Sequence, residues 1–508
     1  MKAITRRDFV KAVGVYASAA AWTRHAHAAE EAPKPNIIYI LADDLGYNEV
    51  GCYGQTKINT PHLDQMAAEG IRFTQHYSGS AVCAPTRCML LTGKHAGHAY
   101  IRANDEMKER GDVWNDPALE GQRPLLENTE TIGRILQRAG YKTACVGKWG
   151  LGWYGSSGAP DQQGFDHYFG YICQRVAHNY YPTYLWRDGE KVPLDNREFK
   201  SRQRLSKDAD PNDPKSYEAY RGNDYAPDFL REDALEFIRA NTDRPFFLYY
   251  CTPVPHVALQ VPDDSLEPYR GRFPESPYKG EKGYLPHRTP RAAYAAMITR
   301  MDSDIGAILV ELKRHGIDDN TIVLFSSDNG PTYAGGVDTQ FFDSNKPFSG
   351  LKGSLLEGGI RVPMIARWPG RIAPGRTTDH PSAHWDVMPT LAELSGADAP
   401  PDTDGISFLP VLTGQGEQKR HAYLYWEYAN QQAVRMGDWK GYRKNAKKHP
   451  DEPIRLYNLQ ADVAEQHDVA RDHPDVVRTI VDIMNSRTPS AFDKWNFPKA
   501  KYPADAPG

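Results

Sequence analysis

Asn36-Ile37-Ile38-Tyr39-Ile40-Leu41-Ala42-Asp43-Asp44 is the stretch that decides how this chain folds. Its unbroken apolar run reads as a strand covered on both faces, because a strand with one wet face would alternate apolar and polar residues. Strands of that kind belong to parallel sheets, and the two aspartates ending this one stand where open α/β sheets place their ligands. The same grammar recurs downstream. Glu127 to Ala139 has helical spacing (Ile132, Ile135, Leu136) closed by Gly140, and Tyr141–Val146 follows as a strand ending at Gly147-Lys148. Asp228–Ala240 predicts a helix, and Pro245–Cys251 a strand that runs into Thr252-Pro253-Val254-Pro255-His256. Arg291–His315 predicts a long helix, and Thr321–Ser326 a strand ending in Ser327-Asp328-Asn329-Gly330. Such alternation specifies an α/β fold, a large mostly parallel sheet sandwiched between helices.

After Leu412 the character changes. Tyr423-Leu424-Tyr425-Trp426 and Arg455-Leu456-Tyr457 are separated by a Gly- and Lys-rich segment, and helical spacing follows over Pro474–Met484. These predict a smaller C-terminal α+β subdomain carrying an antiparallel sheet, with the main domain over 29–412 and the subdomain over 413–508. At 508 residues the chain exceeds the ~250–300 residues that one core serves, in keeping with two units. A hydrophobic content of 40% and a formal charge of −4 exclude a disordered chain, a collagen-like fibre and a nucleic-acid binder built on a basic surface. Six scattered cysteines without a C-x-x-C pair exclude a disulfide scaffold and a structural zinc site.

The N-terminus reads as an address. Thr5-Arg6-Arg7-Asp8-Phe9-Val10-Lys11, a weakly apolar run from Ala12 to Trp22 and the small-x-small Ala26-His27-Ala28 form a twin-arginine signal peptide over residues 1–28. The bland alternative is a basic N-terminal helix. Spanning a bilayer takes ~20 apolar residues, so no membrane span is expected, and the mature protein is expected to be exported through the twin-arginine translocase to the periplasm or the extracellular space. Removing residues 1–28, with five basic side chains and one acidic, would take the formal charge from −4 to −8. An anionic substrate would then need a local site, since the overall field opposes it.

Two clusters carry chemistry. Asp43-Asp44 and Asp328-Asn329 place three carboxylates and a carboxamide at strand ends that could be neighbours, a hard oxygen set suited to Ca²⁺ or Mg²⁺, although Asp-Asp after a strand is often only a cap or turn. Cys83-Ala84-Pro85-Thr86-Arg87-Cys88-Met89-Leu90-Leu91-Thr92-Gly93 is sharper. Pro85 suits the first turn of a helix, so Cys83 would sit near a helix N-terminus that favours anions, with Arg87 adding a permanent charge. Cys83 is then a buried small hydrophobe, or a thiolate nucleophile with His256 as base.

With these residues in view the chain resembles the type I, formylglycine-dependent sulfatases of the alkaline phosphatase superfamily. Their C/S-x-P-x-R signature with a following Thr-Gly is met by Cys83, Pro85, Arg87, Thr92 and Gly93. Further matches are Asp43-Asp44, Gly147-Lys148-Trp149, Thr252 to His256, Ser327 to Gly330, Lys352-Gly353 through Glu357-Gly358-Gly359-Ile360-Arg361-Val362-Pro363, Asp386 to Leu391, and Gly437-Asp438-Trp439-Lys440, over roughly residues 35–470. The resemblance implies that a formylglycine-generating enzyme oxidises Cys83 to formylglycine, whose hydrate attacks sulfur and then expels sulfate. It implies that Asp43, Asp44, Asp328 and Asn329 hold Ca²⁺, that Arg87, Lys148 and Lys352 supply positive donors, and that His256 protonates the leaving alkoxide. That division of labour suits a sulfate ester, where negative charge builds on the bridging oxygen.

One position departs from the pattern. Where most relatives read Gly-Lys-Trp-His-Leu-Gly, this chain reads Gly147-Lys148-Trp149-Gly150-Leu151-Gly152. We expect His178 to reach the site from a long loop in place of that histidine, the alternative being a surface or structural histidine. Substrate contacts are expected from the loop Asp161–Arg221 and from Phe341 to Asn345. Tyr180, Tyr181, Tyr184 and Trp186 in the first of these are candidate sugar-stacking rings, and Arg102 and Asn104, together with Asp343, are candidates for bonding sugar hydroxyls. The resemblance to exported bacterial carbohydrate sulfatases suggests a sulfated saccharide, with 4-O-sulfated galactose or N-acetylgalactosamine as the guess. The alternatives are an arylsulfatase, a phosphonate or phosphodiester hydrolase of the same superfamily, and a catalytically silent sulfoglycan-binding protein.

Overall fold

The computed structural model describes residues 34–105, 107 and 119–501; the twin-arginine segment lies outside them. Sixteen strands are present among these residues: β1 (Asn36–Ala42), β2 (Ile71–Phe73), β3 (His76–Tyr77), β4 (Lys142–Lys148), β5 (His167–Tyr171), β6 (Tyr184–Arg187), β7 (Glu190–Pro193), β8 (Phe246–Cys251), β9 (Thr321–Ser327), β10 (Met364–Arg367), β11 (Arg376–Thr378), β12 (Ser382–Ala383), β13 (Leu424–Tyr428), β14 (Gln431–Met436), β15 (Trp439–Arg443) and β16 (Arg455–Asn458). Ten form one sheet in the order β11-β2-β10-β9-β1-β8-β4-β5-β6-β7. Its centre, β9-β1-β8-β4-β5, is parallel throughout, and antiparallel pairs flank it at β9–β10, β10–β2, β5–β6 and β6–β7.

Every residue of β1 is buried, as its unbroken apolar run requires. Ile38, Ile40 and Ala42 face a core closed by the helices Ala226–Ala240 and Pro290–Arg314, while Ile37, Tyr39 and Leu41 face another closed by Cys83–Thr92, Ile132–Arg138 and Val387–Ser395. The sheet is therefore the middle of three layers. The helix expected from Glu127 begins at Ile132 because the Thr131 side chain accepts from Arg134 N (3.2 Å) and caps it there. β4 runs to Lys148, two residues beyond the expected end, so that lysine leaves directly from the sheet edge.

Strands β13–β16 form a separate antiparallel sheet, and the helix Pro474–Asn485 packs against it with Val477, Ile480, Val481 and Met484 buried. Lys440, wholly buried on β15, ties this sheet to the main layer with its Nζ 2.8 Å from Glu357 Oε1 and 2.8 Å from Glu465 Oε1. Burial alone would raise the Glu357 carboxyl, but Lys440, Arg361 and Arg435 outweigh it and hold it at about 2. Among the described residues no helix is long and apolar enough to cross a membrane.

Removing Lys440 would strand two buried acids. Lys440→Met should cost about 3–5 kcal/mol, read as a lower urea midpoint, and adding Glu357→Gln and Glu465→Gln should recover part of it. A second test concerns His167 on β5, whose Nδ1 lies 2.9 Å from Asp188 and Nε2 2.8 Å from Asp233. Burial would lower its pKa, but the two aspartates raise it to about 9. Because the folded pKa exceeds the unfolded one, the stabilisation is complete below pH ~6.5 and fades as pH rises through 9. The melting temperatures of the native protein and His167→Gln should accordingly differ most below pH ~6.5 and converge above pH ~9.

Candidate active site

Register builds the site. β1 and β9 pair with Ala42 opposite Ser327, so Asp43 and Asp328 leave adjacent parallel strands side by side. Asp328 N donates to Ala42 O (3.0 Å), and Asp44 N donates to Asp328 Oδ1 (3.0 Å). Asn329 Nδ2 donates to Asp44 Oδ1 (2.8 Å), and all four residues are fully buried. A strand end and a loop add two cations. Lys148, the last residue of β4, reaches Asp43 Oδ2, and Lys352 lies 2.6 Å from Asp44 Oδ1.

Cys83 opens the helix Cys83–Thr92, where Pro85 occupies the first turn and Gly93 closes the C-terminus at φ +66°. Its thiol lies 3.5 Å from Asp43 Oδ1, and Lys352 Nζ is 3.6 Å from Sγ. One turn on, Arg87 places Nη2 3.1 Å from Asp328 and 3.4 Å from Asp43 while Nη1 donates to Lys148 O (2.7 Å). Burial pushes the Cys83 thiol up, and the Asp43 charge adds to it. A nucleophilic thiolate needs the opposite shift, so the unmodified cysteine is poorly suited to attack.

Three carboxylates and three cations balance in formal charge. Burial nevertheless raises Asp328 to about 7, with the charge of Asp43 adding, and raises Asp44 as well. Asn329 Oδ1 is buried without a hydrogen-bond partner. Crowded hard oxygens and an orphaned carbonyl fit a divalent cation, which would leave the site net positive and ready for an anionic ester. Ligand atoms of Asp43, Asp44, Cys83 and His256 lie within 4.8 Å of one another.

His256 follows β8 with Nδ1 2.6 Å from Val257 O and Nε2 3.6 Å from Asp44 Oδ2. Burial lowers its pKa well below the ordinary value and Lys352 adds to that, so the ring is neutral at rest, its proton on Nδ1. His178 lies against it, the rings stacked at 4.7 Å and 3°. Tyr284 presents its edge to both rings, 5.4 Å from His178 and 5.9 Å from His256. It holds φ +65°, an outlier for a bulky side chain, and no sequence motif announces it.

The remaining candidates are placed differently. Arg102 is buried, donating to Glu427 Oε1 (2.7 Å) and to the carbonyls of Ala99, Gly97 and Thr488; it holds the C-terminal region and is not a sugar contact. Asn104 is exposed, and its Oδ1 accepts from Ala84 N (3.0 Å) at the start of the Cys83 helix. Asp343 pairs with Lys346 (2.8 Å) and Lys57 (3.5 Å). Tyr180 and Tyr181 are buried packing residues and offer no face to a sugar. Tyr184 and Trp186 are turned to Glu120, bonding its carboxylate at 2.8 and 3.0 Å.

A family model described as Sulfatase matches residues 35–397, and another described as N-sulphoglucosamine sulphohydrolase, C-terminal, matches residues 351–488. The N-acetylgalactosamine-6-O-sulfatase of Bacteroides thetaiotaomicron is 29% identical over 518 residues, covering 90% of this chain and 94% of that protein. Arylsulfatase A of Homo sapiens is 31% identical over 492 residues, covering 88% and 86%. The crystal structure of Ps i-CgsB in complex with k-i-k-neocarrahexaose superposes with a TM-score of 0.72 at 26% identity over 93% of this chain and 95% of that one. The phosphonate monoester hydrolase of Agrobacterium radiobacter shares the fold at a TM-score of 0.58 and 18% identity, over 89% and 95%.

The carboxylate crowding generates a prediction. Exhaustive chelation should lower the melting temperature in differential scanning fluorimetry, and a divalent cation at 100 times its Kd should restore about 2.7 kcal/mol. Asp328→Ala should abolish that response.

Proposed function

Because the chain belongs to the sulfatase family and is a sulfuric ester hydrolase, we propose that its substrate is an O-sulfated saccharide, with galactose or N-acetylgalactosamine 4-sulfate foremost, cleaved at a formylglycine made from Cys83. The single observation that carries this reading is Cys83 at a helix start, buried between Asp43 and Lys352, with its thiol shifted away from thiolate. When present, the hydrated aldehyde supplies a nucleophilic hydroxyl and a second one through which sulfate leaves. Ca²⁺ held by Asp43, Asp44, Asp328 and Asn329 supplies positive charge; Mg²⁺ is the alternative ion.

The chain's own residues do the rest. Arg87 is fixed by Asp43, Asp328 and the Lys148 carbonyl, so its charge is oriented before substrate arrives. Lys148 and Lys352 stay protonated: burial alone would lower both, but the facing aspartates raise them. They meet the sulfuryl oxygens and residue 83. His256, neutral with Nε2 open, gains a proton as the anionic ester approaches and passes it to the leaving oxygen. His178 holds the plane of that ring by stacking on it.

A sugar has room. A cavity of about 870 Å³ adjoins Lys352, lined also by Tyr333, Tyr442, Lys444, Arg455 and Tyr457. Tyr333 is 59% exposed there, a face for stacking beside cations that suit an anionic glycan. The names of the relatives, among them N-acetylgalactosamine-6-O-sulfatase, point to the same class. We further propose that the maturing partner is a formylglycine-generating enzyme and that residues 1–28 direct export by the twin-arginine route.

Protein made together with a formylglycine-generating enzyme should carry an aldehyde on the peptide containing residue 83 and release sulfate from 4-O-sulfated galactose or N-acetylgalactosamine. Release confined to 6-O-sulfated sugars would overturn the linkage, and phosphate release exceeding sulfate release from paired nitrophenyl esters would overturn the substrate class. Cys83→Ala should lower kcat by at least about 10³-fold. His178→Ala should lower it about 10–100-fold in protein modified to the same extent, and full turnover in that variant would end the assignment of His178.

A further inference from the structure

The segment after β5, which carries His178 to the ring of His256, also holds an unpaired amide. Gln174 is 1% exposed, yet neither its Nε2 nor its Oε1 has a hydrogen-bond partner. Its backbone is firmly held, for N donates to Gln122 Oε1 (3.0 Å), so the side chain is presented from a fixed point. The side chain lies over Gly150, where a Cβ would fall 2.6 Å from Gln174 Cγ and 2.8 Å from Cδ. Gly150 adopts φ +80° and donates its N–H to Ile172 O (3.2 Å), which locks the two segments together. The carboxamide therefore occupies the volume into which a side chain at 150 would project.

That volume lies beside the turn that leaves the end of β4. Gly150 lies two residues beyond Lys148, whose ammonium meets Asp43, and Asp43 also accepts from the Cys83 thiol. Four residues after Gln174, His178 stacks on His256. Burying an amide with both atoms unbonded costs free energy that packing an apolar side chain would avoid. The cost is tolerated where a partner arrives later, and a carboxamide offers one donor group and one acceptor group together.

Resting on the reading that residue 83 carries the nucleophile, we propose that Gln174 is a further residue of the reaction centre, its Nε2–H donating to a sulfuryl oxygen of the bound ester and its Oε1 accepting from the hydroxyl on residue 83. It would orient the nucleophile and stabilise charge on sulfate without itself transferring a proton.

The test compares Gln174→Leu and Gln174→Glu with the unmutated protein, each matured and checked by mass for equal modification at residue 83. Gln174→Leu removes the orphaned amide, so its melting temperature should equal or exceed that of the parent while kcat falls about 10²-fold. Gln174→Glu keeps the shape but introduces an acid beside an anionic ester, so its activity should recover toward the parent as pH falls and the carboxyl takes up the proton it needs to donate. Parental kcat in Gln174→Leu, a parallel loss of melting temperature and activity in it, or a Gln174→Glu pH profile parallel to the parent's would each overturn the proposal. An inactive parent protein carrying the aldehyde would instead overturn the reading on which it rests.

Discussion

The parallel pairing of β1 with β9 is the constraint from which the rest of the site follows. With Ala42 opposite Ser327, two aspartates emerge together from the interior edge of the sheet, and a third joins them one residue later. Three buried carboxylates cannot all stay ionised unless positive charge is built around them. The fold supplies it from three separate places: Arg87 from a helix, Lys148 from the end of β4 and Lys352 from the segment before the helix Glu357–Ile360. Each cation comes from a different part of the chain, so the charge balance of the site is a property of the tertiary fold.

This explains the tension between stability and chemistry in the site. Lys148 and Lys352 bond the same carboxylates that suit a divalent cation. A divalent cation held by those carboxylates would compete with both ammonium groups for the same oxygens. The positive charge is unevenly shared: burial, with the charge of Asp43 adding, raises Asp328 to about 7, while Lys148 and its neighbours hold Asp43 well below the usual carboxylate range against the opposing effect of burial.

Much of this was legible in the sequence because buried parallel strands write themselves as uninterrupted apolar runs, and the polar residues that end them are the ones a sheet delivers to its ligand edge. Asp43, Asp328 and Lys148 could be read that way, and the helix start at Cys83 from Pro85. Arg102 could not. Its partner Glu427 is 325 residues distant, and nothing local distinguishes an arginine locked into the interior from one waiting in a loop. Tyr180 and Tyr181 failed for a related reason: aromatic rings in irregular segments have no periodicity to reveal which way they face. Tyr284 lay wholly outside any pattern: neither its φ of +65° nor its contacts with the two imidazole rings leave a mark in the local sequence.

The segment from Cys173 to Tyr181 shows how a single loop can be matched to one glycine. Within it Gln174 covers Gly150, His178 stacks on His256, and the Tyr180 hydroxyl sits between the carbonyls of Pro253 (2.7 Å) and His256 (2.6 Å), able to donate to either. The Tyr180 hydroxyl ties down the loop that carries His256, and His178 covers the face of its ring. They depend on close approach of the segment to the end of β4, and a side chain at 150 would forbid it because the Gln174 stem already fills that space. The glycine is thus half of a paired arrangement: by giving up its own side chain, position 150 makes room for the stem of Gln174 in the segment that also carries His178 and Tyr180.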